Sequence, residues 1–130
     1  MLGLSIDEID YDRCVIGMEV RETHLQPYGI VHGGAIASLL DTATFWAAFV
    51  RVPESDGLVN VDLKVTYLEA VFPTAGRLIA EGRCLRPGRT LSYTDAHVRD
   101  STGRLIAHAT STIAILPGRG LGLDLPKYLD

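Results

Sequence analysis

The sequence predicts an α+β domain in which one long helix lies on an antiparallel sheet. Three observations carry that prediction. Residues 33–50 place Ile36, Leu39, Leu40, Ala43, Trp46, Ala47 and Val50 at spacings of three and four, the apolar stripe of an amphipathic helix. Residues 58–68 alternate instead. Val59, Val61, Leu63, Val65 and Tyr67 fall on one side and Asn60, Asp62, Lys64 and Thr66 on the other, as in a strand with one buried face. The segments that follow are joined by turns of a few residues, which makes neighbouring strands antiparallel.

In chain order, residues 10–20 contain β-branched residues in partial alternation and read as a first strand. Gln26-Pro27-Tyr28-Gly29 is a turn, because Pro27 drives Gln26 to an extended backbone and Gly29 is free to take a positive φ. The helix and the 58–68 strand come next. Residues 76–86 and 90–100 form two more strands joined by Pro87-Gly88-Arg89, and residues 104–115 form another after Ser101-Thr102-Gly103. The stretch Pro117 to Asp130 is rich in Gly and Pro and reads as a tail. One helix with an apolar face must lie on the sheet, yet it covers only part of it. The sheet edge or face left open invites a second copy of the chain.

Composition narrows the function. The 130 residues make one domain, 1–130, and 47% hydrophobic with 22% charged residues excludes disorder over most of the length. Twelve Lys+Arg against sixteen Asp+Glu give a net charge of −4, with no basic stripe to bind nucleic acid. Cys14 and Cys84 lie far apart and read as reduced, buried apolar groups. The start of the chain lacks a basic region followed by an apolar core, and no run approaches the roughly 18 apolar residues of a membrane span, so a cytoplasmic protein is expected. The histidines and carboxylates lack metal-ligand spacing, so neither metal nor cofactor is expected. His24, His97 and His108 read as structural or surface groups.

The chemistry concentrates in Gln26-Pro27-Tyr28-Gly29-Ile30-Val31-His32-Gly33-Gly34, which runs into the helix. The first turn of a helix has unpaired N–H groups and a positive partial charge, and Gly33 and Gly34 let another molecule approach the backbone closely. Together these make a site for an oxyanion or a carbonyl oxygen. His32 precedes the turn, placed to cap it or add a donor. Asp41 lies among Leu39, Leu40 and Ala43, inside the helix, where aspartate is a poor choice. It is eight residues beyond Gly33, about 12 Å along the axis. That is too far for both groups of one chain to touch one reacting carbonyl. An active site built from them needs Asp41 of one subunit and Gly33 of another.

His32-Gly33-Gly34, with an acid nine residues after the histidine and Gln six before it, resembles the hotdog-fold acyl-CoA thioesterases, most of all the phenylacetate-degradation (PaaI-type) branch. The segments Val61–Leu68, Gly88-Arg89-Thr90 and Gly103–Ala107 agree, and the likeness spans roughly residues 10 to 116. It implies a helix wrapped by a curved antiparallel sheet, a homodimer as the minimum active unit and commonly a homotetramer. It also implies hydrolysis of an acyl-CoA thioester to a free acid and CoA. By the resemblance, Asp41 is the carboxylate acting as general base or nucleophile, and the Gly33 N–H polarises the thioester carbonyl. His32 supports that donor, Gln26 helps hold the carbonyl or a water, and Asn60 positions water near the acid. Gly34 belongs to the substrate-binding turn. Arg86 and Arg89 flank Pro87-Gly88 and suit the nucleotide phosphates of CoA. Phe45, with Trp46 and Phe49, lines the acyl pocket or packs in the core. Some relatives carry a threonine one turn after the acid, where this chain has Phe45. The alternatives are a non-catalytic acyl-CoA-binding regulatory module and a hydratase or dehydratase of the same fold.

Overall fold

Seven strands and one long helix form in the computed structural model, which describes residues 2–120. In chain order they are β1 (Leu4–Asp10), β2 (Arg13–Glu19), α1 (Gly33–Phe49), β3 (Gly57–Asn60), β4 (Lys64–Tyr67), β5 (Arg77–Arg86), β6 (Leu91–Arg99) and β7 (Leu105–Leu116). All pairings are antiparallel. The sheet runs β1-β2-β5-β6-β7-β3, with β4 also on β7, and curls around the helix. The expected α+β architecture is borne out.

The helix stripe read from the sequence is the face the sheet covers. Ile36, Leu39, Leu40, Ala43 and Ala47 are buried against Cys14, Ile16 and Met18 of β2, Leu78 and Ala80 of β5, and Ala96 and Val98 of β6. Small residues set how close the helix lies. A Cβ on Gly82 would stand 2.2 Å from the Ala43 carbonyl oxygen, so α1 rests directly on the β5 backbone. Cys14 Sγ donates to the same carbonyl at 3.0 Å, and burial pushes the Cys14 thiol up to about 12. Both cysteines are buried and unbridged, as the sequence suggested.

Two expectations need correction. The first concerns residues 10–20, which are not one strand. A hairpin turn at Tyr11-Asp12 separates β1 from β2, with Asp12 at φ 62, a left-handed conformation that Asp tolerates better than most residues. β1 escaped the pattern because its register shifts between Ile6 and Glu8, which breaks the alternation.

The second concerns residues 58–68. β3 pairs with Ile113–Leu116 and β4 with Ala107–Thr110 of the same long strand, and the irregular stretch between them reverses the parity. Before it, Leu58 and Asn60 turn towards the helix, while Val59 and Val61 are 42% and 56% exposed. After it, Leu63 and Val65 pack on the core. The five residues assigned to one face therefore divide between two. β3 is left as a sheet edge, with Val59 exposed on it and Val61 exposed just past its end, the kind of edge that invites pairing.

Of the expected tail, only the first four residues lie among the described ones. Residues 117–120 form a turn held to the loop before β3, with the Gly120 N–H donating to the Ser55 carbonyl at 3.0 Å and the Gly118 N–H to Asp56 Oδ1 at 3.1 Å. Residues 121–130 lie outside the described ones. No helix among the described residues is long and apolar enough to cross a membrane.

Candidate active site

The run before α1 is fixed almost atom by atom. The Val31 N–H donates to the Val71 carbonyl at 2.8 Å and the His32 N–H to the His24 carbonyl at 2.7 Å. His32 is the N-cap, with an extended backbone (φ −62, ψ 135). Its Nδ1 accepts from the Gly34 N–H at 2.8 Å, and its carbonyl accepts from Ala35 at 2.9 Å and Ile36 at 3.4 Å. Between Val31 and Ile36, Gly33 is thus the one residue whose N–H reaches no acceptor among the described residues. It is a helix-start donor with the dipole behind it, where the sequence placed it.

Gly33 lines a cleft of about 300 Å³ together with Gln26, Ile30, Ile36, Tyr67 and Val71. Gln26 Oε1 accepts from the Tyr28 N–H at 2.6 Å, which shapes the turn and leaves the side-chain NH₂ for the cleft. His32 is exposed, and with Nδ1 acting as acceptor its neutral ring carries the proton on Nε2. The structure therefore brings Gln26, His32, Gly33 and Gly34 together.

Asp41 is not among them. It projects from the exposed stripe of α1 about 12 Å further along the helix. Among the described residues nothing donates a hydrogen bond to its carboxylate or pairs with it, and partial burial pushes its pKa above the usual aspartate value. Beside that turn, Asn60 Nδ2 donates to Thr44 Oγ1 at 3.1 Å and to Ser111 Oγ at 3.0 Å. Thr44 Oγ1 donates in turn to the Asp41 carbonyl at 2.9 Å, and Ser111 Oγ to the Asp62 carbonyl at 2.7 Å. Asn60 thus has both amide hydrogens engaged in tying β3 to β7 and to the Asp41 turn, and only its Oδ1 is left to hold a water. Thr44 and Ser111 belong to this network and the sequence did not mark them, because their partners lie 16 and 51 residues away. Tyr67, read only as one apolar residue of a strand, also enters the site. Its hydroxyl donates to the Gly33 carbonyl at 2.9 Å.

The remaining candidates lie elsewhere. Arg89 lines a separate cleft of about 250 Å³ with Arg51, Val52, Pro53 and Gly88, just past the far end of α1. A 17-residue helix puts that cleft about 25 Å from Gly33. Neither Arg86 nor Arg89 has an ion pair among the described residues, whereas Arg83 pairs with Glu81 at 2.7 Å. Phe45 and Phe49 continue the Asp41 stripe at i+4 and i+8. With Trp46 they form a half-buried aromatic cluster whose ring centroids are 4.5–6.0 Å apart. His24 is buried and structural: its Nδ1 accepts from the Arg21 N–H at 3.1 Å, so its Nε2–H donates to the Leu2 carbonyl at 3.0 Å.

The sequence profile of the thioesterase superfamily matches residues 28–107, more than half of the chain. The chain belongs to the thioesterase superfamily. A Caenorhabditis elegans relative is 34% identical over 113 residues, which is 86% of this chain and 66% of that one, so this chain spans just under two thirds of that relative. Human acyl-coenzyme A thioesterase 13 is 29% identical over 101 residues, 77% of this chain and 71% of that one. Among solved structures, smu.793 of Streptococcus mutans, bound to acetyl CoA, superposes with a TM-score of 0.80 at 25% identity, covering 89% of this chain and 90% of that one. Escherichia coli PaaI, from the phenylacetic acid degradation operon, superposes at 0.82 with 23% identity over 90% of this chain and 82% of its own, which shows a shared fold. The helix wrapped by a curled antiparallel sheet is thus the hotdog fold of the thioesterase superfamily.

Proposed function

We propose that this protein is an acyl-CoA thioesterase that hydrolyses its substrate to a free carboxylic acid and CoA. The observation that carries the proposal is the free Gly33 N–H at the helix start, standing in a cleft with Gln26. It is a fixed donor that strengthens as a thioester carbonyl gains charge, an interaction worth about 2.7–4 kcal/mol in the transition state. Membership of the thioesterase superfamily and the name of the human relative support the same reading.

The second half of the machinery is Asp41. A carboxylate with a raised pKa and no partner among the described residues is suited to act as base on a water or as nucleophile on the thioester. Because Asp41 and Gly33 are two turns apart on one rigid helix, the reaction takes Asp41 from one protomer and Gly33 from its partner. A homodimer is the smallest active unit in this reading, and β3, with Val59 exposed on it and Val61 exposed just past its end, is the edge by which two sheets join. Pairing dimers into a tetramer and a cytoplasmic location belong to the same proposal.

His32 holds the turn through Nδ1 and presents Nε2–H to the carbonyl, and Gly34 keeps the approach open. Gln26 offers its NH₂ to the carbonyl or a water, and Asn60 Oδ1 holds the water near Asp41. Arg86 and Arg89 meet the nucleotide phosphates, and Phe45 borders the acyl group. A panel of acetyl-, hexanoyl-, benzoyl- and phenylacetyl-CoA, read by free-thiol release, tests the proposal. Release by wild type and a loss of at least about a hundredfold in kcat for Asp41→Asn is the expected result. Tight binding without release marks a binding module, and hydration of an enoyl-CoA marks a hydratase. Either result defeats the proposal.

A further inference from the structure

We propose that Tyr67 is a positioning residue that clamps the helix-start peptide and so fixes the donor at Gly33. The proposal rests on the thioesterase reading above and assigns a role that neither the sequence motif nor the superfamily match supplies. Its basis is the Gly33–Gly34 peptide plane, which is held at both ends. The Gly34 N–H donates to His32 Nδ1 at 2.8 Å, and the Gly33 carbonyl accepts from the Tyr67 hydroxyl at 2.9 Å. The preceding plane, between His32 and Gly33, has its carbonyl engaged by Ala35 and only its N–H free. A donor acts on a developing oxyanion only if it is already in place when charge appears. Two side chains, one on each side of Gly33, keep it there.

The ring of Tyr67 adds a second constraint. A Cβ built on Gly33 would lie 3.2 Å from both the ring and the hydroxyl oxygen, so the phenol occupies the space that glycine leaves. Glycine has the widest backbone freedom of any residue, and a helix start without a packed neighbour frays. Tyr67 removes that freedom without adding bulk on the Gly33 side of the cleft, and its own ring forms part of the cleft wall. Tyr67 is 52% exposed, so its hydroxyl bond to Gly33 is not forced on it by core packing.

The rival role is a staple that only holds β4 to the helix. Tyr67→Phe separates the two, since it removes one exposed hydroxyl and keeps the ring. The expected result with the acyl-CoA turned over fastest in the panel is a five- to tenfold loss in kcat, about the effect of one hydrogen bond. KM should change less than about twofold and Tm by less than about 2 °C. The Gly33 and Gly34 amides, followed by ¹⁵N relaxation, are expected to fall from a rigid order parameter of about 0.85 towards 0.6. Unchanged kcat, a loss carried by KM or Tm alone, or amides as rigid as in wild type overturns the proposal. If wild type releases no thiol, the hydrolase reading fails instead, and the amide order parameters alone then decide whether the clamp exists.

Discussion

Replacing Gly82 by alanine tests how closely the helix that carries the site rests on the sheet. The added Cβ would lie 2.2 Å from the Ala43 carbonyl oxygen, 2.7 Å from its carbon and 3.3 Å from the Ala47 Cβ, where ordinary contact begins at 3.4 Å. The obstacles are the Ala43 backbone and the Ala47 Cβ, all on α1, so no flexible side chain can swing aside. The helix must retreat by about 1 Å, which opens the core around Leu39, Leu40 and Ala43. Overpacking of this kind costs about 2–3 kcal/mol. At roughly 4 °C per kcal/mol for a chain of this size, Tm falls by about 10 °C. Gly33 and Asp41 ride on the same helix, so kcat falls as well, by more than the folded fraction explains, because a displacement near 1 Å is enough to misplace reacting groups. Thermal melts by circular dichroism and thiol-release assays well below Tm measure both effects. A Tm within about 2 °C of wild type, with full activity, refutes the close-approach argument.

Two further predictions concern the charged groups. Asp41 has a folded-state pKa above its ordinary 3.8, so the native state favours the neutral acid. The carboxylate therefore costs stability above its folded pKa, and that cost shrinks as pH falls and is gone below the unfolded value. Asp41→Asn is expected to raise Tm at neutral pH but not in strong acid, while the acid limb of the wild-type kcat profile lies above the usual aspartate range; an acid limb at the ordinary value, or a lowered Tm for Asp41→Asn at neutral pH, contradicts this. Replacing Arg86 and Arg89 together by alanine is expected to raise KM for an acyl-CoA about tenfold, while KM for the matching acyl-pantetheine thioester, which lacks the nucleotide, is unchanged; equal effects on both substrates remove the phosphate role.

What the sequence disclosed and what it hid follow from the range of the interactions involved. The helix was legible because its apolar spacing is a local property of seven residues, and five of them are buried in the main core cluster. The orphan donor at Gly33 was legible for the same reason, since any helix start leaves N–H groups unpaired. The parity reversal between β3 and β4 was not. Val59, Val61, Leu63, Val65 and Tyr67 alternate without a flaw, and only pairing with the two halves of β7 shows that the register breaks. Tyr67 was hidden by that same pattern. Its part in the site comes from a bond across 34 residues, as the Asn60–Ser111 bond spans 51. β1 was concealed by its register shift, which placed its apolar residues out of phase.

The shared pocket is tested most directly by complementation between two inactive chains. Asp41→Asn removes the carboxylate. Gly33→Pro removes the donor at the first helical position, where proline fits the backbone because His32 before it is already extended at ψ 135, and its Cβ needs the exposed Tyr67 ring to give by only a few tenths of an ångström. Each variant alone is expected to lack turnover. Co-refolded in equal amounts, random pairing makes half of the dimers mixed, and each mixed dimer holds one site with both groups intact, so about a quarter of wild-type activity returns. No recovery in dimers shown to be mixed would mean that each chain needs its own Asp41 and Gly33, and the account would be wrong.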